Sequence, residues 1–384
     1  MLRLLIAGDF GCGDRILKLS QSGKSKVILE PISEIVKSCD YSIVNLEAPL
    51  KGEGKPIDKR GPHIYSNNQS IEMLKECGFD CCTLANNHFR DWGEEGVNQT
   101  LTALDRIGLD HVGGGKNIEE AKETLYVKKD ASTLAIVNVC ESEFNIASKD
   151  QGGAAPLDVM DVFYRIKEAK SKAEIILVIV HGGHEGFSLP SPRMKRTYRF
   201  FIDIGADAVI NHHQHCYSGY EVYKDKPIFY GLGNFCFDWP NRKNEAWNEG
   251  YMVKLIIEND NVTFELHPYI QCNEEPNVKP MSPEENKKFE KVISQLNAVI
   301  ESDDLLESSY SNYIDKKYKS SIIDFSPFNS KLLRGLSKKG VIPDCISLNK
   351  ALLLFDRISC ESHRDIIMGL LKSKISKHKK KQQR

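Results

Sequence analysis

Apolar residues along this chain come in short β-rich runs that stop at polar or glycine positions: residues 2–7, 42–46, 81–84, 134–139, 175–180, 208–210 and 228–230. Such runs, bounded by turn formers, read as buried strands. Between most of them the apolar spacing changes to three and four. Ile71 and Leu74 beside Lys75 precede Gly78, and Val97, Leu101, Leu104 and Ile107 precede Gly108, which predicts helices closed by glycine. Strands alternating with helices imply an α/β protein whose mainly parallel sheet is covered on both faces. Residues 251–257 and 262–266, joined through 258–261, predict a closing hairpin instead. The expected architecture is therefore a mixed β-sandwich flanked by helices.

After Pro268 the pattern becomes helical. Ser282, Pro283 and Glu285 make a capping box with proline at the first helical position, and Phe289, Val292, Ile293, Leu296, Val299 and Ile300 follow on one face. Residues 332–336 and 346–355 predict further helices. The chain ends in Lys372, Lys374, Lys377, Lys379, Lys380, Lys381 and Arg384, a run that reads as a solvated, disordered end. The expected organisation is a main domain over 1–270, a helical appendage over 271–371 and a Lys-rich tail over 372–384.

Bulk properties sharpen this outline. At 384 residues the chain exceeds the roughly 250–300 at which one core stops growing. Its 41 % hydrophobic and 27 % charged residues exclude a disordered or fibrous chain. The net charge of -1 hides an asymmetry: acidic residues outnumber basic ones before Asn273, and the reverse holds after it. The scattered cysteines, with Cys77, Cys81 and Cys82 at a helix end and in a buried strand, read as reduced thiols and not as a zinc knuckle. Met1 leads straight into the first strand run without a basic leader, and no apolar run reaches the roughly 18 residues of a membrane span, so a cytoplasmic location is expected. The Lys-rich end lacks interleaved aromatics or a recognisable module, so no nucleic-acid partner is expected. Peripheral membrane contact through that end, without an apolar partner, would be weak and salt-sensitive.

The candidate chemistry lies just after the strand runs, where α/β sheets bind ligands. In order come Gly8-Asp9, Asn45-Leu46-Glu47, Ala85-Asn86-Asn87-His88 with Asp91 and Gly93, His181-Gly182-Gly183-His184-Glu185, and Asn211-His212-His213-Gln214-His215. Each has a structural alternative: a Gly-Asp turn is common, Asn86-Asn87 can cap a helix, and a lone histidine beside a strand is usually a hydrogen-bonded core residue. Their shared position favours one site. Mixed oxygen and imidazole donors suit Mn, Zn or Fe better than Ca or Mg. Strand alternation points His213 and His215 at the site and His212 away from it. A metal there would polarise a phosphoryl oxygen and lower the pKa of a bound water.

This ordered set resembles the bacterial poly-γ-glutamate capsule synthesis proteins of the CapA type, whose fold is related to the calcineurin-like metallophosphoesterases. The matching text includes the clusters above and Gly78-Phe79-Asp80, Gly113-x-Gly115-x-Asn117, Ala121, Gly205-Ala206-Asp207 and Tyr230-Gly231-Leu232-Gly233-Asn234-Phe235. The resemblance implies one or two divalent ions held by Asp9, Glu47, Asn87, His181, His213 and His215. It implies that His88, beside Asn87, protonates a leaving oxygen or stabilises the phosphoryl charge. Glu185 orders His181 or binds substrate. Arg193, with Lys195 and Arg196, either binds phosphate or carboxylate or is an ordinary solvated face; Asn234, with Gly233, shapes the backbone at the substrate side. The departures are Gly11 where phosphoesterases place a histidine, Glu47 in place of a bridging aspartate, Gln214 where proline is common and Asn211 where glycine is usual. The expected function is metal-dependent hydrolysis of a phosphate ester or anhydride in capsule or exopolymer synthesis, on a phosphorylated or anionic polymer-related substrate and alongside other capsule-synthesis proteins. The alternative is a non-catalytic binding or assembly component that uses a degenerate pocket.

Overall fold

A computed structural model of the protein describes residues 1–129, 132–258, 261–322, 330–339, 341 and 346–382. Its contacts divide the chain into two units, Met1–Tyr310 and Ser311–Arg384.

In the first unit the opening apolar run becomes the central strand β1 (Leu2–Gly13). On one side it pairs in parallel with β2 (Tyr41–Leu46), which continues into β3 (Cys81–Thr83) and β4 (Asp110–Val112). On the other it pairs antiparallel with β14 (Glu249–Glu258), followed by β15 (Asn261–Gln271) and β16 (Val278–Pro280). The last residues of β1 also pair with β13 (Asn234–Asp238). A second sheet runs in the order β11 (Tyr220–Tyr223), β12 (Lys226–Phe229), β10 (Ala208–His212), β9 (Ile175–His181), β7 (Ser132–Cys140) and β6 (Leu125–Lys129). Two short strands, β5 (Gly114–Gly115) and β8 (Gly153–Ala154), form a separate ladder. Among the described residues the two large sheets have eight and six strands.

The period of two in the sequence explains the layering. Leu4 and Ile6 of β1 join Ile43, Ile136, Leu177, Ile179 and Tyr251 in a core between the sheets. Leu5 and Ala7, pointing the other way, pack with Ile28, Leu29 and Ile32. Those three lie on α2 (Lys26–Lys37), which with α1 (Asp14–Gln21), α3 (Asn68–Cys77) and α4 (Gly93–Ile107) lies by the first sheet. The short α5 (Ile118–Ala121) follows β5, and α6 (Val159–Ala169) and α7 (Pro192–Asp203) pack on the second sheet. The expected glycine stops are present: Gly78 and Gly108 cap α3 and α4 in the left-handed conformation. The mixed sandwich and closing hairpin expected from the sequence are the observed arrangement, except that the parallel strands bury one face on helices and the other on the opposite sheet. The two residues at the hairpin's tip lie outside the described residues.

The boundary expected at residue 270 falls inside the first unit. There α8 (Pro283–Glu301) starts with the capping box of Ser282 and Glu285 and buries Phe289, Ile293 and Ile300. Phe289 meets Tyr217 and Tyr251 at ring distances of 5.2 and 5.5 Å. Next, α9 (Asp303–Ile322) leads into the second unit, which holds α10 (Lys331–Lys338), α11 (Leu348–Ser359) and α12 (Glu361–Gln382). The Lys-rich run continues α12; Arg384 lies outside the described residues.

Candidate metal centre

β1, β2 and β3 run parallel to one another in the first sheet, as do β9 and β10 in the second, so their carboxyl ends bring sequence-distant clusters together. Asp9 sits between two irregularities in the β1 ladder and is fully buried. Its Oδ1 accepts a hydrogen bond from Asn45 Nδ2 at 2.8 Å and its Oδ2 one from the His213 backbone N–H at 3.1 Å. Glu47 follows β2, anchored by its N–H to the Phe10 carbonyl at 3.0 Å. Its carboxylate is completely buried, and neither oxygen has a hydrogen-bond partner among the described residues. Asp9, Glu47 and His215 offer ligand atoms that all lie within 4.8 Å of one another. His215 turns Nε2 toward Glu47 at 3.7 Å, while its Nδ1 meets Asn234 Oδ1 at 2.9 Å.

Beside this triad is a second convergence. His181 Nε2, at the end of β9, lies 3.1 Å from both Asn87 Oδ1 and His213 Nδ1, and 4.0 Å from Glu47 Oε1. Asn45 Nδ2 lies 3.3 Å from His181 Nδ1, so one amide braces both Asp9 and His181. The backbone enters left-handed space at His213 (φ 94°) and His215 (φ 56°), a conformation that costs a non-glycine residue energy. Asn86 and Asn87 cap no helix: they sit in a turn, and α4 starts only at Gly93 after Trp92.

His88 borders the triad, its Nε2 3.9 Å from Glu47 Oε1. Its Nδ1 meets Asp91 Oδ2 at 2.7 Å. The buried Asp91 also accepts from the Ile64 N–H at 2.9 Å, and its backbone carbonyl accepts from Ile57 N–H at 3.0 Å. Lys59 comes from the same loop; its buried ammonium pairs with Asp91 and lies 3.1 Å from His88 Nδ1.

Charge follows this geometry. Burial, reinforced by Asp9, Glu185 and Asp91 and opposed by Lys59, holds the Glu47 carboxyl well above the usual range. Burial and the neighbouring His213 and His212 push His181 well below its ordinary value. His213 is pushed down to about 4 by burial and His215. His88 is lowered by burial, although Asp91 pulls it back up. Neutral imidazoles around an unpartnered carboxylate make a donor set for a divalent cation.

The sequence places this site in a family. Residues 3–239 match the model described as bacterial capsule synthesis protein PGA_cap. The chain belongs to that family. It is 31 % identical over 276 residues to the PGA biosynthesis protein CapA of Bacillus subtilis (strain 168), covering 70 % of this chain and 71 % of that one. To the capsule biosynthesis protein CapA of Bacillus anthracis it is 30 % identical over 256 residues, covering 64 % of this chain and 62 % of the relative. A crystal structure of a hypothetical protein from Thermus thermophilus aligns with a TM-score of 0.46 at 17 % identity, covering 73 % of this chain and all of that one.

The departures from the phosphoesterase pattern have structural counterparts in this family member. A Cβ on Gly11 would lie 2.3 Å from the Phe237 ring, so Phe237 of β13 fills the space a side chain would need. Gln214 donates to the carbonyls of Phe187 and Leu189, and Asn211 to those of Gly182 and Tyr230. Both therefore tie the loops behind the histidines.

The remaining residues that the sequence singled out stand at the edge. Glu185 is exposed, and the ring of His181 is braced by Asn45. Arg193 pairs with Glu141, whose other oxygen accepts from the Gly183 N–H at 3.1 Å. Asn234 contacts His215 and the Trp247 carbonyl. His212 corrects the strand-alternation expectation: its Nδ1 lies 3.4 Å from Asp9 Oδ1, because β10 ends at His212 and the turn at His213 breaks the alternation. Sequence reasoning also missed Lys59, in a patternless loop, and Trp247, whose ring covers His215 at 4.7 Å.

Proposed function

We propose that this chain is a metal-dependent hydrolase of phosphate esters or anhydrides serving capsule or exopolymer synthesis of the poly-γ-glutamate type. The observation that carries this reading is Glu47, a buried carboxylate without a hydrogen bond, set between two clusters of metal-type donors. Asp9, Glu47 and His215 would hold one ion, and Asn87, His181 and His213 beside them would supply donors for a second, with Mn, Zn or Fe suited to the mixed donors. A bound divalent ion supplies polarisation of a phosphoryl oxygen and an activated water. His88 presents Nε2 toward that space while Asp91 and Lys59 hold its other edge, which suits it, once Nε2 has taken up a proton beside Asp91, to pass that proton to a leaving oxygen. We assign Asn234 to orienting His215, Arg193 to bracing the turn after His181, and Glu185 to the exposed substrate side. A cytoplasmic setting fits the cysteines, which are free thiols among the described residues. No helix among the described residues is long and apolar enough to cross a membrane.

A second reading is a binding or assembly role, with a polymer, its precursor or another capsule-synthesis protein in the pocket. Phe237 favours it, because it occupies the space of the missing ligand at Gly11.

Elemental analysis of the purified protein, with hydrolysis of a generic phosphodiester and phosphomonoester, separates the two. Stoichiometric transition metal is expected in the wild type. His213→Ala should lose metal and activity together; His88→Ala should keep metal and lose about 100-fold or more in rate. Protein that stays inactive after reconstitution with Mn or Zn would overturn the hydrolase reading in favour of the binding role.

A further inference from the structure

We propose that the second unit docks on an anionic membrane surface through exposed apolar residues of its last two helices and the Lys-rich run that follows them. This stands independently of the hydrolase reading.

On α11, Leu348, Leu352 and Ile358 are 75 %, 58 % and 53 % exposed. Spacings of four and six place them within one broad face of a helix. On α12, Ile366, Leu370, Leu371 and Ile375 are likewise exposed, spread over about half of the helix circumference at the start of the Lys-rich run. Exposed leucines scattered singly need no explanation, whereas rows of them along consecutive helices mark a surface that meets something apolar.

Charge identifies the occupant. From Leu371 to the end of the chain there are Lys372, Lys374, Lys377, Lys379, Lys380, Lys381 and Arg384, and no acidic residue. A lysine run alone holds to anionic lipid weakly and releases in salt; an adjoining apolar face supplies the insertion that such a run lacks. A second copy of the chain would bring a like-charged end to the same contact, and that repulsion disfavours self-association. Neither helix is long and apolar enough to cross a bilayer, so the chemistry fits a helix pair lying in the headgroup region.

The test is co-sedimentation of the full chain with vesicles of phosphatidylcholine alone and of phosphatidylcholine mixed equally with phosphatidylglycerol, at low and high salt. Partition onto the anionic vesicles is expected, reduced but not abolished by salt. Replacing Lys377, Lys379 and Lys380 by Gln should weaken it on the order of a hundredfold, from about a factor of five for each lysine near the surface. Leu348→Glu with Leu352→Glu should remove most of it while leaving the lysines in place; both positions are exposed, and an unchanged far-ultraviolet spectrum would show the helices retained. Three outcomes would overturn the proposal: no partition onto either vesicle, binding that survives the double glutamate variant, or a dimer in sedimentation velocity that the double variant dissociates while vesicles stay unbound.

Discussion

A carboxylate buried without a partner is costly unless it takes up a proton or a cation, and burial holds Glu47 toward the protonated form when no cation is bound. Glu47→Gln is therefore expected to stabilise the metal-free protein at neutral pH by about 1–3 kcal/mol, and to abolish any rise in melting temperature on adding Mn or Zn. A variant less stable than the metal-free wild type would contradict this account. The pH dependence follows from two opposite signs. His213 has a folded pKa of about 4, below the unfolded value of about 6.5, so its contribution to stability is lost as pH falls through that interval. Glu47 is raised on folding, so its contribution is lost as pH rises above its unfolded value. Because metal must displace the Glu47 proton, Mn should raise the melting temperature more at about pH 7 than at about pH 5; equal shifts in calorimetry would rule this out. At this scale Asp9, Asn87, His181, His213 and His215 were legible because each follows an apolar run. Lys59 was not, since a buried lysine in a loop leaves no periodic trace, and His212 was misread because a left-handed turn cannot be seen in strand alternation.

Among the elements, β1 and β13 press together at Gly11 and Phe237. Gly11→Ala is expected to cost about 1–3 kcal/mol by overpacking. Phe237→Ala opens a cavity and costs more by itself, yet the double variant should lose less than the sum, and a denaturant-based mutant cycle would measure the difference. Strictly additive losses would mean that the two do not share the space. β13 escaped the sequence reading because it is short and follows Gly231-Leu232-Gly233, a stretch that reads as a turn. β1 was plain, since its run of apolar residues is buried on both faces. The start of α8 was legible down to its capping box, for that signal is local and needs no tertiary context.

For the whole molecule, the shift from strand to helix pattern after Pro268 suggested an earlier boundary than the contacts give. Pro268 lies within β15, paired with Tyr251, and α8 buries its apolar stripe in the first unit. A chain ending at Tyr310 is accordingly expected to melt cooperatively and to carry as much metal as the full chain, by elemental analysis and calorimetry; loss of metal on truncation would mean that the second unit is needed to hold the centre together. The left-handed backbone at His213 and His215 also sets stability against the site. Each holds an imidazole where glycine would relax about 1–3 kcal/mol of backbone strain. Glycine at either position would thus give a sturdier fold that lacks an imidazole, so in this turn the demands of folding and those of the metal centre pull in opposite directions.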